Sequence, residues 1–132
     1  MHIDHIGIAV KNLEKAIQTY EKLLNTRCYK REAVEGEKVD TAFFKTGESK
    51  VELLGALSGD SVIQKYLDKR GEGIHHIAFE VEDIESEISR LTGEGFTVLN
   101  HKPKQGADNK LVTFLHPKDG HGVLIELCQS VV

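Results

Sequence analysis

Two segments of the chain repeat the same alternation of apolar and polar residues. They read IDHIGIAV at residues 3–10 and IHHIAFEV at residues 74–81. Apolar residues at every second position indicate a β-strand with one buried face, and the repeat predicts two related modules. The third position of each segment is a histidine, His5 in the first and His76 in the second.

Each repeated strand is followed by apolar residues at helical spacing. Asn12, a favourable N-cap residue, precedes the first helical segment, which continues to Leu24. Asp83 precedes the second, which continues to Leu91 and stops at Gly93. The pattern therefore predicts a strand and then a helix at the start of each module.

Alternation of apolar and polar residues returns after each helix. It predicts strands at residues 27–34, 40–46 and 50–55 in the first module and at 96–100, 111–116 and 122–128 in the second. A short amphipathic segment, capped by residues 58–60, lies between them. We expect an α+β fold in a single domain of residues 1–132, made of tandem βαβββ modules at about 1–57 and 73–132 with a connector helix at about 58–72.

Two glutamates, Glu52 and Glu126, stand between apolar neighbours in a late strand of each module. Because side chains alternate across a strand, these glutamates and the two repeated histidines should project from the face that the helices leave uncovered. Two imidazoles and two carboxylates on the concave side of a curved mixed sheet predict a divalent metal site formed by His5, Glu52, His76 and Glu126. This donor set suits Zn²⁺, Co²⁺, Mn²⁺, Ni²⁺ and Fe²⁺.

Taken singly, these residues have simpler explanations, since a strand histidine is usually structural and a strand glutamate is usually solvated. Their occurrence as repeat-related pairs on one predicted face favours the metal site. His75, next to His76, alternates to the helix-facing side, and we interpret it as structural.

Composition excludes several classes of function. With 132 residues, a net charge of −4 and a pI near 6.0, the chain has no general attraction for nucleic acid or anionic lipid. Its apolar runs are far shorter than the ~20 residues of a membrane-spanning helix, and its N-terminal residues do not resemble a signal peptide. We expect a cytoplasmic protein that binds neither nucleic acid nor membrane.

The segments GEGIHHIAFEVEDI and FLHPKDGHGVLIEL, together with DHIGIAV and KVELL, carry a family resemblance. They resemble the vicinal oxygen chelate superfamily and, within it, the methylmalonyl-CoA epimerase family, along the whole chain. The resemblance implies the glyoxalase fold, a homodimer, and a divalent metal in the concave cup of the sheet, most often Co²⁺, with Zn²⁺, Mn²⁺ or Ni²⁺ as alternatives. The family's ligands correspond to His5, His76 and Glu126, with Glu52 where relatives have Gln or Glu.

The resemblance also implies a reaction, the metal-dependent epimerisation of methylmalonyl-CoA between its 2R and 2S forms in propionate metabolism. A base abstracts the α-proton to give a metal-stabilised enolate, and Glu126 is our candidate for one base. Some relatives use a further glutamate at the position where this chain has Thr41, which cannot act as a base at neutral pH. We therefore take Glu52 as the second base, because the repeat symmetry places it opposite Glu126.

An acyl-CoA substrate carries phosphates, which an acidic chain must attract locally. Lys104, Lys110 and Lys118 lie in predicted loops of the second module and are candidates for phosphate contacts. Ordinary solubilising charge explains any one of them equally well.

Other functions of the same fold stay open. Glyoxalase I, also called lactoylglutathione lyase, would use a similar set of His and Glu ligands, but the segments outside the ligands resemble epimerases. An extradiol dioxygenase usually has a much longer chain. A non-catalytic small-molecule-binding protein would have no need for the four predicted ligands.

Overall fold

A computed structural model describes residues 1–131 of the chain. Its helices are α1 (Leu13–Leu24), α2 (Val62–Arg70) and α3 (Ile84–Gly93). Its strands are β1 (His2–Ala9), β2 (Lys30–Val34), β3 (Val39–Thr46), β4 (Ser49–Ala56), β5 (Gly73–Glu80), β6 (Lys104–Gln105), β7 (Lys110–Leu115) and β8 (Ile125–Ser130). Residue 132, the end of the predicted second module, lies outside the described residues.

The same strand order occurs in both modules. The strands of the first are ordered β2-β3-β4-β1, and those of the second are ordered β6-β7-β8-β5. In each module the first and last strands pair in parallel, while the other neighbours pair antiparallel. This confirms the predicted α+β fold with two βαβββ modules, and the single-domain assignment stays a prediction.

The chain groups into two compact units, which differ slightly from the predicted modules. One unit is His5–His75, so the connector helix α2 belongs with the first module. The other contains Met1–Asp4 and the chain from His76 onward. Among residues 1–131, no helix has both the length and the apolar composition needed to span a membrane.

Helices pack on both faces of the sheet in the first unit. Helix α1 covers one face, whose buried residues are Val10, Ala42, Phe44 and Leu53. Ile63 and Leu67 of α2 pack on the other face, against Ala9, Val39 and Leu54. The prediction that the Glu52 face lies free of helices is therefore wrong at one end, because Leu54, two residues beyond Glu52, is apolar and requires cover.

In the second unit, α3 packs on one face of the sheet, as predicted. Ile84, Ile88 and Leu91 of this helix form a core with Leu115 and Leu127. The opposite face has its own small apolar cluster, made of Ala78, Val112, Cys128 and Phe114. Glu126 alternates to this second face, since it lies between Ile125 and Leu127 on β8.

Two predicted elements differ from the structure. The connector helix begins after Ser61, whose Oγ accepts a hydrogen bond from Gln64 N at 3.0 Å, and not after residues 58–60. The strand predicted at 96–100 is reduced to an isolated bridge at Val98, and β6 lies further on. Around this bridge, Leu99 N donates to Phe114 O at 2.8 Å and His116 N donates to Thr97 O at 2.9 Å. Side chains bond the backbone at the two ends of the segment, because Asp119 accepts from Thr97 N and the Thr113 hydroxyl donates to Asn100 O.

The predicted N-caps of α1 and α3 are confirmed. Asn12 Oδ1 accepts from Lys15 N at 3.0 Å, and Asp83 Oδ1 accepts from Ser86 N at 3.2 Å. The Ser86 hydroxyl also donates to Asp83 at 3.0 Å. These hydrogen bonds from Ser86 hold the pKa of Asp83 below its ordinary value.

The lowered pKa of Asp83 predicts a pH-dependent contribution to stability. A carboxylate with a depressed folded-state pKa stabilises the protein above its unfolded pKa of about 3.9, and this contribution is lost as pH falls through the folded pKa. We expect Asp83→Ala to lower the thermal midpoint by a few degrees at pH 7 and by less at pH 3. Asp83→Asn, which keeps a capping oxygen, should cost much less at pH 7. An equal loss for Asp83→Ala at both pH values, measured by circular dichroism, would contradict this account.

Candidate metal centre and active site

The first histidine–glutamate pair joins β1 and β4. His5 Nδ1 lies 3.0 Å from Glu52 Oε2, and both side chains are almost fully buried. In the parallel register Glu52 stands beside Gly7, which has no side chain to fill the space above β1. The Glu52 carboxylate therefore reaches the imidazole of the neighbouring strand.

The second pair repeats this arrangement on β5 and β8. His76 Nε2 lies 3.2 Å from Glu126 Oε1, and both side chains are again buried. Glu126 stands beside Ala78, the counterpart of the glycine in the first pair. A small residue next to each glutamate is thus a shared feature of both modules, and the sequence repeat already indicated it.

An aromatic residue stands across the strand from each glutamate. Phe43 on β3 is the register partner of Glu52, and Phe114 on β7 is the register partner of Glu126. The Phe114 ring meets the His76 imidazole edge to face, with centroids 5.9 Å apart and planes at 86°. The sequence interpretation missed both residues, although the spacing from His5 to His76 also separates the two phenylalanines.

His75 has the structural role that strand alternation predicted. Its ring packs edge to face on Tyr66 of α2, with centroids 4.9 Å apart. The Tyr66 hydroxyl donates to the carbonyl of Ile74 at 2.7 Å and so fastens the helix to the start of β5. The two adjacent histidines therefore have different neighbours, Tyr66 for His75 and Glu126 for His76.

In each pair, the distance from the histidine nitrogen to the glutamate oxygen suits two ligands of one divalent metal ion. Two donor atoms at about 2.1 Å from an ion and at 90–110° to each other lie about 3.0–3.4 Å apart. The distances of 3.0 Å and 3.2 Å fall in this range. Imidazole nitrogen and carboxylate oxygen are ligands that Zn²⁺, Co²⁺, Mn²⁺ and Ni²⁺ accept, and a buried carboxylate requires a cationic partner. The residues present therefore fit a divalent metal.

The three candidate lysines differ in their surroundings. Lys104 and Lys118 are exposed, as expected for residues that contact a phosphate, and that role stays a prediction. Lys110 is buried at the start of β7, so its placement on an exposed loop is wrong. Its ammonium lies among the side chains of Asp4, Glu80 and Ser130, which replace the water that a lysine otherwise requires.

Thr41 is also buried, with 1% of its surface exposed. It lies on β3 opposite Leu54, on the face that α2 covers at this end. The position therefore belongs to the apolar packing beneath α2, and its hydroxyl supplies no base.

Comparison with known proteins places the chain in a family. Residues 4–114 match the family model described as the glyoxalase/bleomycin resistance protein/dioxygenase superfamily. The ethylmalonyl-CoA/methylmalonyl-CoA epimerase of Cereibacter sphaeroides is 40% identical over 129 residues, covering 96% of each chain. The chain belongs to the methylmalonyl-CoA epimerase family of this superfamily. The predicted glyoxalase fold is thereby confirmed, and the family is one of enzymes in the epimerase class.

A solved structure of this epimerase family supports the assignment. The Streptomyces coelicolor methylmalonyl-CoA epimerase in complex with 2-nitronate-propionyl-CoA has a TM-score of 0.95 and 37% identity, covering 100% of this chain and 96% of that one. A probable lactoylglutathione lyase of Synechocystis is a more distant relative, 26% identical over 98% of this chain and 96% of its own. Similarity to the epimerases therefore exceeds similarity to this lyase.

Proposed function

We propose that this protein interconverts the 2R and 2S forms of methylmalonyl-CoA at a metal site formed by both histidine–glutamate pairs. The observation that carries the proposal is the recurrence, in two modules, of a buried His–Glu pair at a separation typical of metal ligands. Family membership supplies the substrate class, since the similar proteins from Cereibacter sphaeroides and Streptomyces coelicolor are named as epimerases of this acyl-CoA. A homodimer and a place in propionate metabolism are proposed on the family resemblance alone.

His5, Glu52, His76 and Glu126 would hold the ion, and Co²⁺ is our first choice, with Zn²⁺, Mn²⁺ or Ni²⁺ as alternatives. A bound divalent ion would act as a Lewis acid that stabilises the negative charge of the enolate oxygen. Burial strengthens this interaction, because few water dipoles remain to screen the charges.

The α-carbon of the substrate lies between a carboxylate and a thioester, so its proton is acidic enough for a carboxylate base to remove. Epimerisation requires removal of this proton from one face and its return to the other. Glu126 and Glu52 each have one oxygen beside a histidine nitrogen, and a carboxylate is a group that commonly serves as a general base. We assign one glutamate to each face of the substrate, because the buried Thr41 cannot supply a base.

Two alternatives have less support. A lactoylglutathione lyase would use similar ligands, but the relative with that name is far less similar than the epimerases. A non-catalytic binding protein would not require two buried carboxylates beside two buried imidazoles, an arrangement that is costly unless it has a partner ion.

The proposed reaction predicts metal-dependent exchange of the substrate α-proton. In deuterated water, protein stripped by a chelator should neither epimerise methylmalonyl-CoA nor exchange its α-proton, and Co²⁺ should restore both. His76→Ala should lower the restored rate by at least about a hundredfold, whereas its neighbour His75→Ala should not, since His75 packs on Tyr66. Turnover of a glutathione hemithioacetal without exchange into methylmalonyl-CoA would support the lyase instead.

The assignment of two bases predicts opposite defects in two variants. Glu52→Gln keeps a ligand oxygen but loses the base, so epimerisation should fall by about 10²–10⁴-fold. Deuterium should still enter one epimer when that epimer is the substrate, because a single base suffices for exchange on its own face. Glu126→Gln should retain exchange in the other epimer. Full turnover and exchange into both epimers by Glu52→Gln would show that Glu52 is not a base.

The exposed lysines predict a salt-dependent affinity for the CoA phosphates. Lys104→Ala and Lys118→Ala should each raise KM severalfold at low ionic strength and leave kcat unchanged, with a smaller effect at 0.5 M salt. Lys22→Ala, which removes an exposed lysine from the end of α1, is the matched control. Equal KM values for all three variants would leave Lys104 and Lys118 as solubilising charges.

A further inference from the structure

Lys110 brings a buried positive charge into a cluster that the proposed reaction does not use. Its side chain is 9% exposed, and its ammonium donates to Glu80 Oε1 at 2.8 Å and to Ser130 Oγ at 3.0 Å. The same ammonium lies 3.4 Å from Asp4 Oδ1. The Ser130 hydroxyl in turn donates to Glu80 at 2.6 Å, so the four residues form a connected network, here called the Lys110 cluster.

The charges in this cluster stabilise one another. Burial lowers the pKa of Lys110, but the hydrogen bond to Glu80 and the charge of Asp4 outweigh this effect, and the net pKa is raised. The hydrogen bond from Lys110 is the main reason that the pKa of Glu80 lies below its ordinary value. Both groups are therefore charged at neutral pH, and removal of the lysine would take away the ammonium that both carboxylates contact.

The cluster shares two strands and one sheet face with a proposed pair of metal ligands. Glu80 lies four residues beyond His76 on β5, and Ser130 lies four residues beyond Glu126 on β8. Four is an even number, so strand alternation places all four side chains on one face. Lys110 is directly across from Ser130 in the register of β7 and β8.

The third contact of Lys110 reaches the strand that carries another proposed ligand. Asp4 immediately precedes His5 on β1 and is itself buried, with 5% of its surface exposed. The peptide bond between them makes the position of His5 depend on the position of Asp4. A displacement of Asp4 is therefore transmitted directly to the first ligand.

The fold itself does not require a polar cluster at this place. The repeat counterparts in the first module are Ala9 for Glu80, Val39 for Lys110 and Ala56 for Ser130. Val39 pairs with Ala56 across β3 and β4, just as Lys110 pairs with Ser130 across β7 and β8. There, apolar packing beneath α2 is sufficient. The charged version in the second module thus requires a separate explanation.

We propose that Lys110 is a positioning residue, which holds Asp4 in place next to the proposed ligand His5 on β1. The proposal rests on the proposed metal site. Metal affinity depends on ligand positions to within about 0.2 Å, and residues that orient ligands typically account for about 10–100-fold in affinity. A long, flexible lysine performs this task only when several partners fix its ammonium, as they do here.

The test is a titration of the metal-free protein with Co²⁺, followed by its d–d absorption. Lys110→Met should bind Co²⁺ about 10–100-fold more weakly than the wild type and should shift the absorption bands, because the ligand geometry changes. Arg90→Gln, which loses an exposed ion pair to Glu87 on α3 of the same unit, is the control and should change neither quantity.

A second variant separates positioning from simple charge neutralisation. Lys110→Met with Asp4→Asn removes the negative charge of Asp4 but does not restore the contact between the strands. Positioning predicts that Co²⁺ affinity stays low in this double variant, and recovery to the wild-type value would overturn the proposal. Chemical unfolding shows whether Lys110→Met folds. If it does not fold, Glu80→Gln, which keeps an acceptor oxygen, replaces it in the test and should bind Co²⁺ severalfold more weakly than the wild type.

The remaining outcomes distinguish this inference from the proposed function. If the wild type binds Co²⁺ and Lys110→Met binds it with equal affinity and an identical spectrum, the positioning role is wrong and the metal site stands. If the wild type binds no Co²⁺, the metal site is wrong and the positioning role is overturned with it.

Discussion

The burial of a carboxylate beside an imidazole is the interaction on which the rest of this structure depends. It occurs once in each module, between His5 and Glu52 and between His76 and Glu126. An ionised carboxylate loses several kcal/mol of hydration on burial, and one imidazole contact recovers only part of it. A divalent cation at the proposed site would bring further positive charge to these glutamates.

Strand alternation explains why sequence alone predicted the sheet face of each proposed ligand. Each ligand lies at a fixed place in a repeated pattern of apolar neighbours, so the face of its side chain follows from geometry alone. The neighbours Gly7 and Ala78 follow from the same repeat, because a bulky residue there would block the approach of each glutamate. Periodicity determines the face to which a residue points, and knowledge of that face was enough to group the four residues into one proposed site.

Periodicity does not determine what covers a face, and the wrong predictions arose there. The helix α2 lies over Ala9 and Leu54, although these residues share a face with the ligands. Lys110 resembles a loop lysine in sequence, and only the partners Asp4, Glu80 and Ser130 make its burial favourable. These contacts join residues far apart in the chain, so no local pattern indicates them. The strand predicted at 96–100 is shortened to a bridge for a related reason, since Asp119 and Thr113, far along the chain, bond its backbone at Thr97 and Asn100.

The sheet face that carries each histidine–glutamate pair ends in apolar packing in the first module and in a charged cluster in the second. This difference has a physical consequence. In the first, Ala9, Val39 and Leu54 pack beneath a helix, a contact that resists separation but permits small sliding movements because dispersion forces lack direction. In the second, one ammonium contacts two carboxylates and a hydroxyl, and hydrogen bonds weaken steeply when their geometry changes. The directional contact is the one that includes Asp4, the residue that precedes the proposed ligand His5. A chemical step that requires ligands within a fraction of an ångström gains more from that kind of restraint than from additional apolar packing.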